Sequence, residues 1–188
     1  MIRLAVVGTS GRKPQDLSRL SSKHMEWMAA NVRSYISDVL CTTTDKITLV
    51  SGGSSWADHV AIQLYLSDDF GGLELYLPTE FNLKRKQYKN THEGRLLNIL
   101  HKQCQEKTGI DIFTELLSAT SRIKVKKHVK RGFLPRNTLI AKNCDHLIAF
   151  VFGSDFDEKT KSPTNGGTFY TWQKTLHQNK ICFNLDWM

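Results

Sequence analysis

Five short strand-like runs alternate along this chain with segments of helical spacing, and that alternation constrains the fold more than any other feature. The runs are Ile2–Val7, Ile47–Val50, Leu73–Leu77, Leu147–Phe152 and Lys180–Leu185. Apolar runs without polar alternation suit strands covered on both faces. Between Asp16 and Leu40, helical spacing joins Leu17, Leu20, Met25, Met28, Ala29, Val32, Ile36 and Leu40. A second helix is predicted over Trp56–Leu66, with Ala57, Val60, Ala61 and Leu64 on one face. Two more are predicted over Asn137–Asn143, with Pro135 just outside its start, and over Phe169–Gln178. Strands that alternate with helices build a parallel sheet with right-handed crossovers. The expectation is an α/β fold of three layers, with a mainly parallel sheet of about five or more strands.

At 188 residues the chain suits a single domain, 1–188. Residues 79–131 interrupt the alternation and read as a basic helical insertion lying over the ligand edge. Their helical part is Glu93–Gln105, with Leu96, Leu97, Ile99 and Leu100. The formal charge is +8, and Arg122–Arg131 holds six Lys/Arg and no acid. Such a run is either a solvated face or an attractor of nucleic acid and polyphosphates. No apolar run approaches the roughly 20 residues needed to span a bilayer. The N-terminus reads as a strand rather than a signal peptide, so a soluble cytoplasmic protein with no membrane partner is expected. Cys41, Cys104, Cys144 and Cys182 form no CxxC pair. Cys144 and Cys182 are expected in the core.

Three glycine turns follow strands: Gly8-Thr-Ser-Gly-Arg12, Ser51-Gly-Gly-Ser-Ser-Trp-Ala-Asp58 and Lys161-Ser-Pro-Thr-Asn-Gly-Gly-Thr-Phe-Tyr170. A glycine turn between strand and helix exposes N–H groups at the positive end of the helix, where phosphate binds. In open α/β sheets ligands bind at the carboxyl ends of the strands, so three such turns suggest one shared site. No GxxxxGK[ST], GxGxxG or HExxH occurs, and the seven histidines form no metal pattern. No metal and no cofactor are expected.

Four features in order carry a resemblance: Gly52-Gly53 with Ala57-Asp58, Pro135-Arg136-Asn137 opening a helix, Asp145–Phe150, and Gly166-Gly167-Thr168. The chain resembles the SLOG superfamily, the Rossmann-like fold of the lonely-guy phosphoribohydrolases and DNA-processing protein A. The likeness covers about the first 78 residues and residues 132–188. It implies a pocket for a nucleotide or nucleotide-derived small molecule, and its members include hydrolases, nucleotide sensors and single-stranded DNA binders. The candidate binding residues are Gly8, Thr9, Ser10 and Arg12, then Gly52, Gly53, Ser54, Ser55 and Asp58, then Arg136 and Asn137, then Asn165, Gly166, Gly167 and Thr168. Glycines admit a phosphate to the backbone, and the hydroxyls add donors. Arg136 offers a bidentate fork to phosphate, or a salt bridge to a nearby acid. Asp58 either accepts from a ribose hydroxyl or simply favours a helix N-terminus. Asn137 binds ligand or caps its helix.

The chain also departs from that pattern. The phosphoribohydrolases carry acids just after their Gly-Thr; here Phe169-Tyr170-Thr171-Trp172 follows Thr168. An oxocarbenium-like state needs a carboxylate, and Glu80, just after the third strand, is the candidate catalytic substitute, or else an exposed loop acid. Trp56 stands where many members have glycine, and stacks on a base, narrows the pocket or packs against the sheet. Three functions follow. The first is a sensor or sequestering protein for a nucleotide. The second is a nucleoside 5′-monophosphate N-glycosidase or related base-releasing enzyme, with Glu80 or Asp58 as the carboxylate. The third is a single-stranded nucleic-acid binder using Arg122–Arg131. The resemblance also implies a homo-oligomer.

Overall fold

Each of the five runs forms a strand, and a sixth joins them. The computed structural model describes residues 1–188. In chain order the elements are β1 (Ile2–Gly8), α1 (Pro14–Arg19), α2 (Ser22–Ser34), β2 (Ile47–Ser51), α3 (Ala57–Ser67), β3 (Gly72–Leu77), β4 (Phe81–Asn82), β5 (Gln87–Tyr88), α4 (His92–Thr108), α5 (Ile112–Thr120), β6 (Val125–Val129), α6 (Phe133–Lys142), β7 (His146–Val151), β8 (Phe156–Asp157), β9 (Ser162–Pro163), α7 (Gly166–Lys174) and β10 (Lys180–Asn184). The main sheet runs β10-β7-β1-β2-β3-β6, with every neighbouring pair parallel. Two small antiparallel hairpins, β4–β5 and β8–β9, stand apart from it. The chain has a Rossmann-like three-layer α/β fold.

Side chains of one strand point alternately to the two faces. Leu4, Val6, Leu49, Leu75, Ile148 and Phe150 join the larger core, with Met28, Val32, Val60 and Leu116 from α2, α3 and α5. Ala5, Val7, Val50, Leu147 and Ala149 join a smaller one, with Ile140 and Cys144 from and just beyond α6, and with Cys182 of β10. The larger cluster holds 31 buried residues and the smaller 11, so the face under α2–α5 carries most of the apolar burial. No helix is long and apolar enough to cross a membrane.

Segment 79–131 is helical, as expected, and it does more. Its end supplies β6, which pairs with β3 from Leu73↔Val125 to Leu77↔Val129. Only two of its five residues are apolar, and Lys126, Lys127 and His128 are exposed. A short, lysine-rich edge strand resists pairing with other chains. Half of the basic run is therefore a protected sheet edge.

Two predicted boundaries moved. The helical spacing from Asp16 to Leu40 is broken by extended backbone at Leu20 and Ser21, so α1 and α2 are separate. The fourth helix begins at Phe133 rather than Asn137, because Gly132, at φ +91°, turns the chain just before it. Pro135 then falls in the first turn, where its missing N–H is harmless.

Candidate functional site

From β1 the chain builds β2, β3 and β6 on one side of the sheet, and β7 and β10 on the other. Connections leaving β1 and β7 in opposite directions open a crevice at their carboxyl ends. A cleft of about 210 Å³ lies there. Its floor is Val7-Gly8 at the end of β1 and Val151-Phe152 at the end of β7. A Cβ on Gly8 would sit 2.2 Å from the Phe150 carbonyl oxygen, so this close strand approach requires glycine. The Thr9 N–H donates to that same carbonyl at 2.8 Å.

One wall is the start of α7. Asn165 caps it, its side chain accepting from the Gly166 N–H at 2.7 Å. Gly166-Gly167-Thr168 are thus the first turn of the helix, not a loop before it. The N–H groups of Gly167 and Thr168 carry no hydrogen bond. They are free donors at the positive end of a nine-residue helix. Asn137, interior to α6, crosses to this turn and donates to the Gly167 carbonyl at 3.1 Å. It ties two helices together rather than capping its own.

The other wall centres on Arg136 and Asp58, which are 5% and 6% exposed. Arg136 Nη1 donates to Asp58 Oδ2 at 3.2 Å. The Ser54 N–H donates to the same oxygen, also at 3.2 Å. Burial pushes the Asp58 carboxyl above the usual range, against the pull of Arg136 and the Ser54 N–H. Arg136 Nε is buried and has no partner. Phe133 lies under both arginines of the cleft, its ring centroid 5.8 Å from the Arg12 guanidinium and 5.9 Å from that of Arg136.

The cleft holds three cations, Arg12, Lys13 and Arg136, and three acids, Asp16, Asp58 and Asp155. Lys13 pairs with Asp155 at 2.6 Å and Arg136 with Asp58. Arg12 and Asp16 are left without ion-pair partners. Leu96 and Leu100 of α4 also line the cleft, so the 79–131 segment reaches the carboxyl ends of the strands.

Of the expected binding residues, Gly8, Thr9, Ser10, Arg12, Ser54, Asp58, Arg136, Asn137, Asn165, Gly166, Gly167 and Thr168 line the cleft. Gly52, Gly53 and Ser55 do not. The Gly53 N–H is spent on Ser51 Oγ at 3.1 Å, and Tyr88 Oη donates to the Gly53 carbonyl at 2.6 Å. Ser55 Oγ donates to the Ser10 carbonyl, joining the first two turns. A Cβ at Gly52 would lie 1.3 Å from Arg136 Nη1. Gly52 is therefore a seat for a guanidinium rather than for a phosphate. Glu80 is exposed, pairs with Lys89 and lies outside the cleft, so it cannot replace the missing acid. Trp56 is fully buried at φ +58°, under the Gly11 turn, and cannot stack on a ligand. Tyr170 bonds Thr138 at 3.0 Å, and Trp172 packs on the smaller core.

Lys13, Asp16 and Asp155 were not anticipated. Asp16 lies in the first turn of α1, just after the Gly8–Arg12 turn. Asp155 follows β7 as Glu80 follows β3, and only the topology distinguishes the two.

No protein-family model matches the chain. The sequence is 47% identical over 185 residues to "Uncharacterized protein R261" of Acanthamoeba polyphaga mimivirus, across 98% of this chain and 97% of that protein. The chain belongs to the family of that mimivirus protein. The match runs the length of the fold, so the whole α/β domain, segment 79–131 included, is the family's unit.

Proposed function

We propose that the chain is a divergent SLOG-type domain that binds a nucleotide or nucleotide-derived small molecule, as a sensor or a sequestering protein. The observation that carries this reading is Arg136. A buried guanidinium with one 3.2 Å contact and an unpartnered Nε lacks an acceptor, and a buried donor left unmade is unfavourable. Free N–H groups at Gly167 and Thr168 and the unpaired Arg12 serve the same cleft. A phosphate supplies acceptors to the Gly167 and Thr168 N–H groups, to Arg12 and to the terminal nitrogens of Arg136. Asp58, beside Arg136, is then a natural acceptor for a sugar hydroxyl.

The test is a thermal-shift panel of linear and cyclic nucleotides, with mass spectrometry of any molecule that copurifies. At a hundredfold excess over Kd a ligand stabilises by about 2.7 kcal/mol, a shift of several degrees. Arg12→Ala, exposed and unpaired, is expected to abolish the shift while leaving the unliganded protein intact. A panel in which no nucleotide shifts the wild type sinks the reading.

A hydrolytic reading, a nucleoside 5′-monophosphate N-glycosidase, is favoured by one observation: two buried carboxyls, Asp16 and Asp58, line the cleft in place of the absent acid after Thr168. Release of free base that disappears in Asp58→Asn supports it; an intact monophosphate after prolonged incubation rules against it.

A further inference from the structure

Asp16 is the cleft residue with the least obvious role. It is 5% exposed and lines the cleft. No lysine or arginine pairs with it. Lys13 reaches Asp155 instead, and Arg19 is bound to Asp186. Only the Thr9 hydroxyl stands beside it. Burial, aided by Asp155, pushes its carboxyl above the usual range, with Lys13 opposing. A desolvated carboxylate lining an open cavity, with one neutral hydroxyl beside it and no cationic partner, keeps acceptor capacity for donors from a ligand.

Asp16 and Asp58 line the same cleft with different charged neighbours. The charges that act on Asp16 are Lys13, Asp155 and Arg19, and those on Asp58 are Arg136 and His59. The two carboxyls share no charged neighbour. Leu96, Leu100 and Phe133 add an apolar surface suited to a flat ring.

Resting on the nucleotide reading above, we infer that the cleft selects a guanine base, the Asp16 carboxylate accepting the adjacent N1–H and exocyclic N2–H donors of its Watson–Crick edge. A carboxylate offers acceptors only, and guanine alone among the common bases presents two neighbouring N–H donors. Adenine and cytosine set one amino donor beside a ring lone pair. Uracil sets one N–H between two carbonyl oxygens. Each of these places an acceptor against the carboxylate. Lys13 is bound to Asp155 and Arg19 to Asp186, so neither is an ion-pair partner for Asp16.

Isothermal titration with GMP, IMP and AMP tests it. IMP keeps the N1–H and lacks the amine. The wild type is expected to prefer GMP to IMP and to AMP by about tenfold or more, the discrimination a bidentate base contact gives. Asp16→Asn, which keeps the shape, is expected to lower GMP affinity by about tenfold and to leave AMP within about threefold. Equal affinity of the wild type for the three nucleotides, or an equal loss of all three in Asp16→Asn, overturns the guanine inference and leaves nucleotide binding standing. Binding of none sinks both. The wild-type ranking needs no variant, so a misfolded Asp16→Asn leaves the inference testable.

Discussion

Substituting Gly52 by alanine isolates the role given to the Arg136–Asp58 pair. Gly52 does not have a positive φ, so alanine brings no backbone strain. Its Cβ would lie 1.3 Å from Arg136 Nη1 and 2.5 Å from Asp58 Oδ2. The guanidinium must leave, and both charges are more than nine-tenths buried. Breaking a buried pair so that one charge is uncompensated destabilises by roughly 3–5 kcal/mol. For a chain of this length that lowers Tm by about 6–20 °C, at about 2–4 °C per kcal/mol. Urea unfolding measures the change directly. Gly109→Ala is the control: Gly109 has φ +73° with nothing within 4 Å, so strain alone costs about 1 kcal/mol. A double-mutant cycle sharpens the test. Arg136→Met removes the nearer of the two groups that the new Cβ strikes and leaves only the 2.5 Å approach to Asp58 Oδ2, so adding Gly52→Ala to it is expected to cost clearly less than in the wild type, with coupling of about 2 kcal/mol or more. Additive effects, or a Gly52→Ala protein that melts within about 2 °C of the wild type, refute the reasoning.

Glu80→Gln is expected to leave ligand affinity within about twofold, because Glu80 lies on the surface with Lys89; titration calorimetry reads it. Burial holds the His101 imidazole down to about 3. The unfolded chain thus binds more protons than the folded one between about pH 3 and 6.5, and stability falls as pH drops through that window, by up to roughly 1.4 kcal/mol per pH unit. In urea midpoints taken from pH 7 to 4.5, His101→Phe is expected to flatten that slope. Lys126→Ala with Lys127→Ala is expected to leave nucleotide binding unchanged, since β6 does not line the cleft. If single-stranded DNA binds at all through this strand, the same double substitution reduces the salt slope of that binding by about one to two, since each phosphate a lysine neutralises adds roughly 0.7 to it.

The alternation of apolar runs with helical spacing made the parallel sheet legible, because strands buried on both faces must be apolar throughout. β6 was hidden by the same rule. As an edge strand it has one open side, and Val-Lys-Lys-His-Val reads as a charge run. Most of the cleft was legible as well, since its donors follow strands as glycine turns. Gly52 reads as a phosphate seat because glycine marks close approach without naming the group that approaches. Here that group is the Arg136 side chain, brought from 84 positions further along the chain. Asp16 carries no motif. Its importance comes from Lys13 choosing Asp155 instead, which only the juxtaposition of the β1 and β7 ends decides.

The proposed function stands or falls on a phosphate seated at the start of α7, beside Arg136. Backbone amide shifts recorded while a nucleotide is titrated into isotopically labelled protein test it most directly. With a phosphate bound there, the largest, saturable shifts are expected at Gly167 and Thr168, with Thr9 and Arg12 next and the β6 amides unmoved. Saturation that leaves Gly167 and Thr168 in place, or shifts gathered along Val125–Val129, contradicts it.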